Sequence, residues 1–120
     1  MSKTILIAED EEFIANLYKV NLEQHGVEVN VAVDGNVAIE KMDQSQPDLL
    51  LLDLLMPEVD GFQVLAHIKE KGYTFPVVIL TNLSQEIDKQ KCEELGAEDY
   101  FVKSDLSVEE LWDRISGYLT

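Results

Sequence analysis

The chain has 120 residues, 46% of them hydrophobic and 28% charged, a composition that suits one globular domain and excludes a disordered segment. Its 24 Asp and Glu against 9 Lys and Arg leave a net charge of −15, which repels phosphate backbones and anionic headgroups. The basic residues are scattered from Lys3 to Arg114 without a cluster, so no direct binding to nucleic acid or to a membrane is expected.

Along the chain, short apolar runs alternate with segments of helical period. Ile5–Ala8 is a continuous apolar run, the pattern of a central parallel strand covered on both faces, and four acids, Glu9 to Glu12, follow at once. A helix is predicted over Glu11–His25, with Phe13, Ile14, Leu17, Tyr18 and Val20 at helical spacing and Gly26 as its stop. Val27, Val29, Val31 and Val33 alternate with Glu28, Asn30 and Ala32, which predicts an edge strand with one face partly in water. A second helix is expected over Asn36–Asp43. Leu49–Leu52 is another buried strand, ending in Asp53, and Phe62–Lys71 is the third helix. Val77–Leu80 gives a further central strand that runs into Thr81. The fourth helix spans Gln85–Leu95 and is closed by Gly96. Tyr100–Val102 reads as a short edge strand before Lys103. Last, Val108, Leu111, Trp112, Ile115 and Leu119 form one helical stripe, with Ser107 and Glu110 spaced as a capping box.

Five such βα units with short connections imply right-handed crossovers and an α/β fold: a (βα)5 doubly wound parallel sheet between two helical layers. With the second and fifth strands at the edges, the strand order is 2-1-3-4-5, and a single domain covers residues 1–120. The lone Cys92 has no disulfide partner and no CxxC or Cys/His neighbour for zinc, which suits a reducing compartment. No apolar stretch approaches the roughly 20 residues that span a bilayer. A cytoplasmic protein is therefore expected.

Ligands of such sheets bind at the carboxyl ends of the strands, beside the switch point between the first and third. That rule gathers Glu9 and Asp10, Asp53, Thr81 and Lys103 from positions nearly a whole chain apart. Carboxylates so crowded repel one another, and with no His or Cys beside them they suit Mg2+, or Mn2+, better than zinc. Asp53 ends an otherwise apolar run, and beside a metal it has three roles open to it: ligand, base or nucleophile. A cation and a hydroxyl opposite the metal are what the equatorial oxygens of a transferring phosphoryl group require, so Lys103 and Thr81 favour the nucleophile. Attack by a carboxylate on phosphorus gives an aspartyl phosphate.

The segments ILIAEDEE, PDLLLLDLLMPEVDGFQVL, PVVILTN and GAEDYFVKSD, in that order and spacing, resemble the response-regulator receiver domains of two-component signalling. The resemblance covers essentially all 120 residues and implies a flavodoxin-like three-layer sandwich. It further implies that Asp53 is the phosphoacceptor. Asp10 would ligate Mg2+ directly, Glu9 through water, and the backbone carbonyl of Leu55 would be the third protein ligand, alongside Asp53. Thr81 would hydrogen-bond the phosphoryl group, Lys103 would pair with it or with Asp53, and Tyr100 would turn inward as Thr81 moves. Pro57 and Gly61 would shape the loop after the acceptor. The implied partners are a sensor histidine kinase or phosphotransfer protein upstream and an effector protein or output domain downstream. The implied output face is the fourth helix, fifth strand and fifth helix, and a homodimer through it is compatible with the sequence. Such a domain catalyses only its own phosphorylation and dephosphorylation.

The chain also departs from the family pattern. Ser104 and Asp105 follow Lys103 where a proline is usual, Asn82 follows Thr81 where a small residue is common, and Leu55 offers no polar group to orient water, which predicts slow hydrolysis. Glu11 and Glu12 are read as a solvated acidic turn at the first helix's positive end. His25 and His67 are read as surface helical residues without an acid or metal partner, Trp112 as core, and Cys92 as a small apolar residue in a thin stripe with Ile87 and Leu95. A degenerate receiver serving as a phosphorylation-independent docking module is the alternative, and the intact Glu9, Asp10, Asp53, Thr81, Lys103 set argues against it. A metal-dependent aspartyl phosphatase needs a second acid at the position of Leu55. A flavin protein needs a phosphate-cradling loop where this chain has four acids.

Overall fold

The computed structural model describes residues 2–119, so Met1 and Thr120, the two ends of the expected domain, lie outside the described residues. Strands β1 (Thr4–Ala8), β2 (Glu28–Ala32), β3 (Leu49–Leu52), β4 (Val77–Thr81) and β5 (Asp99–Val102) form one parallel sheet in the order β2-β1-β3-β4-β5. Helices α1 (Glu12–Glu23), α2 (Gly35–Gln44), α3 (Gly61–Lys71), α4 (Glu86–Glu94) and α5 (Val108–Ile115) cover it, and short 3-10 turns occupy Lys103–Asp105 and Ser116–Leu119. Each expected helix is present, the first four with ends displaced by a residue or two; the fifth ends as an α-helix at Ile115, and its stripe continues to Leu119 through the 3-10 turn. Every strand stands where the apolar runs placed it. No helix among the described residues is long and apolar enough to cross a membrane.

Side chains alternate across a strand, so each continuous apolar run supplies two cores at once. Leu6, Ala8, Leu50, Leu52 and Ile79 face α2 and α3 and pack with Met42, Val64, Leu65 and Ile68. Ile5, Ile7, Leu49, Leu51, Val78 and Leu80 face the other way, against Tyr18 and Leu22 of α1 and Leu111 and Ile115 of α5. Every residue of β3 and β4 is buried, whereas all four residues of β5, at the sheet edge, are half-buried. Asp34 caps α2 by accepting from the Val37 N–H, and Asp60 with Gln63, like Ser107 with Glu110, forms a capping box.

Trp112 and His67 differ from their expected settings, and the apolar residues of α1 divide between core and solvent. The α1 stripe does not turn inward as a whole: Ala15, Tyr18 and Leu22 are buried, while Phe13 is 76% exposed and Leu17 and Val20 are exposed with it. Phe13 and Ala15 are two residues apart, as are Val20 and Leu22, which on an α-helix sets them on nearly opposite faces. The sheet can cover only one of them. Trp112 is half-buried and stacks on His25 at 4.3 Å between ring centroids, so it closes the α1–α5 seam and is not core. His67 does have an acid partner: its Nε2 lies 2.9 Å from Asp43 Oδ1, to which the Tyr73 hydroxyl also donates at 2.6 Å. Cys92 is buried, as expected, and is the only buried residue of α4, where Ile87 stands exposed.

Candidate functional site

β1, β3, β4 and β5 all end on the same edge of the sheet, and the polar residues that follow their apolar runs meet there. The sheet's hydrogen bonding runs one residue past the strands: the Glu9 N–H donates to the Ala32 carbonyl and the Asp53 N–H to the Ala8 carbonyl, both at 3.0 Å. Glu9 and Asp53 are therefore held by backbone as firmly as a strand residue, and both are buried, at 2% and 5% exposure, while Asp10 is exposed. One carboxylate oxygen from each of Glu9, Asp10 and Asp53 lies within 4.8 Å of the others. Ile7, Tyr18, Leu51 and Leu80 wall the inner side of the cluster.

Lys103 crosses the sheet edge to reach this cluster. Its Nζ sits 2.7 Å from Glu9 Oε1 and 3.0 Å from Asp53 Oδ2, in a side chain only 9% exposed. The other oxygen of Asp53, Oδ1, accepts from the Leu55 N–H at 3.2 Å. The Asp53 carboxylate is thus oriented from both sides, by an ammonium and by an amide. The turn Lys103–Asp105 holds the lysine in place without the usual proline, and all peptide bonds among the described residues are trans. The bond between Lys103 and Glu9 has no signature in the sequence, for it joins residues 94 positions apart and depends on strand order alone.

Burial, followed by the neighbouring Asp53, pushes the Glu9 carboxyl up to about 8, and Lys103 offsets only part of this. Burial acts on Asp53 too, but the neighbouring Glu9, the Lys103 ammonium and the Leu55 N–H outweigh it and hold its carboxyl below the ordinary carboxylate range. Burial alone would discharge Lys103, yet the two carboxylates raise its pKa above the ordinary lysine value. The two buried acids are thereby set apart: Asp53 is held in its ionised form and Glu9 in its protonated form.

A divalent cation fits this set. Three carboxylates and one ammonium leave two negative charges when fully ionised, and Glu9 Oε2 is buried without any hydrogen-bond partner. All donors are oxygens, which selects a hard ion such as Mg2+ or Mn2+.

Thr81 is fully buried at the end of β4, and its hydroxyl accepts from the Leu83 N–H at 3.5 Å. The Tyr100 hydroxyl donates to the Leu83 carbonyl at 2.6 Å, and burial pushes its pKa up to about 12. Thr81 and Tyr100 therefore meet on the backbone of Leu83, a residue that sequence reasoning did not single out because its contribution is main-chain. Leu55 contributes its N–H to Asp53, and its side chain is 52% exposed.

Residues 5–116 match the model of the response regulator receiver domain family. The alkaline phosphatase synthesis transcriptional regulatory protein PhoP of Bacillus subtilis is 41% identical over 103 residues, which are 86% of this chain and 43% of that protein. This chain thus spans less than half the length of that relative. Among solved structures, the receiver domain of Francisella response regulator 1452 superposes with a TM-score of 0.91 at 29% identity, covering 98% of this chain and 97% of that one. The BeF3-activated N-terminal receiver domain of Klebsiella pneumoniae RstA gives 0.89 at 29% identity, covering 98% of each. Strand order, acidic edge and relatives agree, and the chain belongs to the response regulator receiver domain family of two-component phosphorelay signalling.

Proposed function

We propose that this domain accepts a phosphoryl group on Asp53 from a phosphohistidine of a sensor histidine kinase or phosphotransfer protein. The observation that carries the reading is the double contact of Lys103 with Glu9 and Asp53 beside three clustered carboxylates. An Asp53 oxygen forms the new bond to phosphorus as the donor's P–N bond breaks, and the imidazole nitrogen keeps the electron pair. Lys103, already on Asp53 Oδ2, meets the charge carried by the phosphoryl oxygens, and the Leu55 N–H fixes the plane of the attacking carboxylate. Asp10, Asp53 and the Leu55 carbonyl would hold Mg2+, with Glu9 acting through water. The bound ion would supply charge neutralisation between the acids and the incoming phosphoryl group.

Thr81 would bond the phosphoryl group, and its move would release Leu83, to which Tyr100 is tied. α4 is held by little apolar burial, so α4, β5 and α5 form the responsive face, shifted as a population when Asp53 is modified. Exposed Phe13, Leu17 and Val20 on α1, with Leu55 and Ile87, favour proteins as partners. On this reading residues 1–120 are one receiver unit in the cytoplasm, acting on an effector protein or output domain, and they turn over no metabolite.

The test is incubation with acetyl phosphate. The intact mass is expected to rise by one phosphoryl group with Mg2+, but not with chelator or in Asp53→Asn. A wild-type mass unchanged in Mg2+ overturns the reading.

A further inference from the structure

The loop of residues 53–60 between β3 and α3 carries Asp53 and Leu55, and glycines hold it on two sides. From beneath, a Cβ on Gly61 would lie 2.5 Å from the Asp53 carbonyl oxygen and 2.7 Å from Leu54 Cα. From outside, the first residue of α2, Gly35, is buried against the same loop at Val59. A Cβ there would overlap the Val59 carbonyl oxygen and stand 2.7 Å from Val59 Cγ1 and 2.8 Å from the Val59 carbonyl carbon. Neither backbone atom can rotate away as a side-chain tip would. Beside this contact the Asn36 side-chain amide donates to Glu58 Oε2 at 3.4 Å, a second tie between the turn and the loop.

We propose that Gly35 is a positioning residue for the metal end of the site: its missing side chain lets α2 seat the Val59 backbone, and that seat sets where Leu55 lies. The inference rests on the function proposed above. The loop transmits displacement because it is internally braced. Pro57 fixes one torsion, the Val59 N–H donates to the Pro57 carbonyl at 2.8 Å, and the Gly61 N–H closes the loop on the Leu54 carbonyl at 3.1 Å. Glu58 sits in the left-handed region at φ 63°, a conformation this brace over-determines. A push at Val59 therefore reaches Leu55, whose N–H orients Asp53 and whose carbonyl is assigned to the cation. Loss of a group that orients a metal ligand typically costs about 10–100-fold in metal affinity.

The experiment is a calorimetric Mg2+ titration of the unphosphorylated domain as wild type, Gly35→Ala and Val59→Ala. Gly35→Ala is expected to weaken Mg2+ binding about tenfold, and Val59→Ala, which trims the side chain but keeps the carbonyl, to leave it unchanged. A purely structural role would lower the melting temperature or the binding stoichiometry while the dissociation constant stayed at the wild-type value; that result overturns the proposal. Should Gly35→Ala not fold, the wild type still decides. On Mg2+ titration followed by amide NMR, the Gly35 and Asn36 signals must shift with the same midpoint as Leu55, and a turn that does not respond overturns the proposal. A wild type that binds no Mg2+ counts against the proposed function and not merely against Gly35.

Discussion

Glu9 makes the stability of the metal-free domain fall as pH rises. Its carboxyl is almost wholly buried and has a pKa of about 8 in the folded protein against an ordinary 4.5. Between those values the folded state holds a proton that the unfolded state has lost, so each rise in pH favours unfolding, and the effect is complete above about pH 8. At about 1.4 kcal/mol per pH unit the full span is worth several kcal/mol, of which about 2 kcal/mol falls between pH 6 and 8. That is a large share of the 5–15 kcal/mol typical of a domain, roughly. Urea unfolding in chelator at several pH values measures it, with Glu9→Gln as control to subtract other titrating groups. The wild type is expected to lose that much relative to Glu9→Gln, and saturating Mg2+ to abolish the loss by displacing the proton. Parallel wild-type and Glu9→Gln curves across pH 6–8 would show that Glu9 carries no such proton.

Other outcomes follow from the same contacts. Lys103→Met leaves Glu9 and Asp53 buried without their cation and should cost about 3 kcal/mol at pH 8 in urea unfolding, with recovery as Mg2+ is added. Tyr100→Phe removes the bond to the Leu83 carbonyl; a stability loss of about 1 kcal/mol is expected. Its rate of phosphorylation should match the wild type, while hydrogen exchange over residues 84–103 should respond less to the phosphoryl group. Leu55→Asn places a polar group beside the acceptor where an exposed leucine orients no water, so its aspartyl phosphate should decay several-fold faster in a half-life measurement. A variant no faster than wild type would exclude Leu55 as the brake on hydrolysis.

The sheet was legible because its central strands are buried on both faces, and the runs ILIA, LLLL and VVIL admit no other covering. Asp53, Thr81 and Lys103 stood out as the polar residues at which such runs stop. Helix faces were harder to read. Apolar residues encircle α1, and only the packed structure shows that Ala15, Tyr18 and Leu22 go inward while Phe13, Leu17 and Val20 do not. Trp112 misled for a related reason: its size suggests core, yet its ring lies in a seam closed by His25. His67 gained Asp43 as a partner because α2 and α3 lie side by side, a neighbourhood that neither helix's own pattern encodes. The contacts at Leu83, Val59 and Gly35 pass through backbone atoms, which carry no residue-type signal at all.

If the proposed function holds, Asp53, and no other of the 24 acids, receives the phosphoryl group. Borohydride reduces an acyl phosphate to an alcohol, so treating the phosphorylated domain with it and mapping the peptides marks the modified carboxyl. Conversion is expected at Asp53 alone, dependent on Mg2+ and on prior exposure to the donor. Conversion at Glu9 or Asp10, or at Asp53 without Mg2+, would contradict the proposed function.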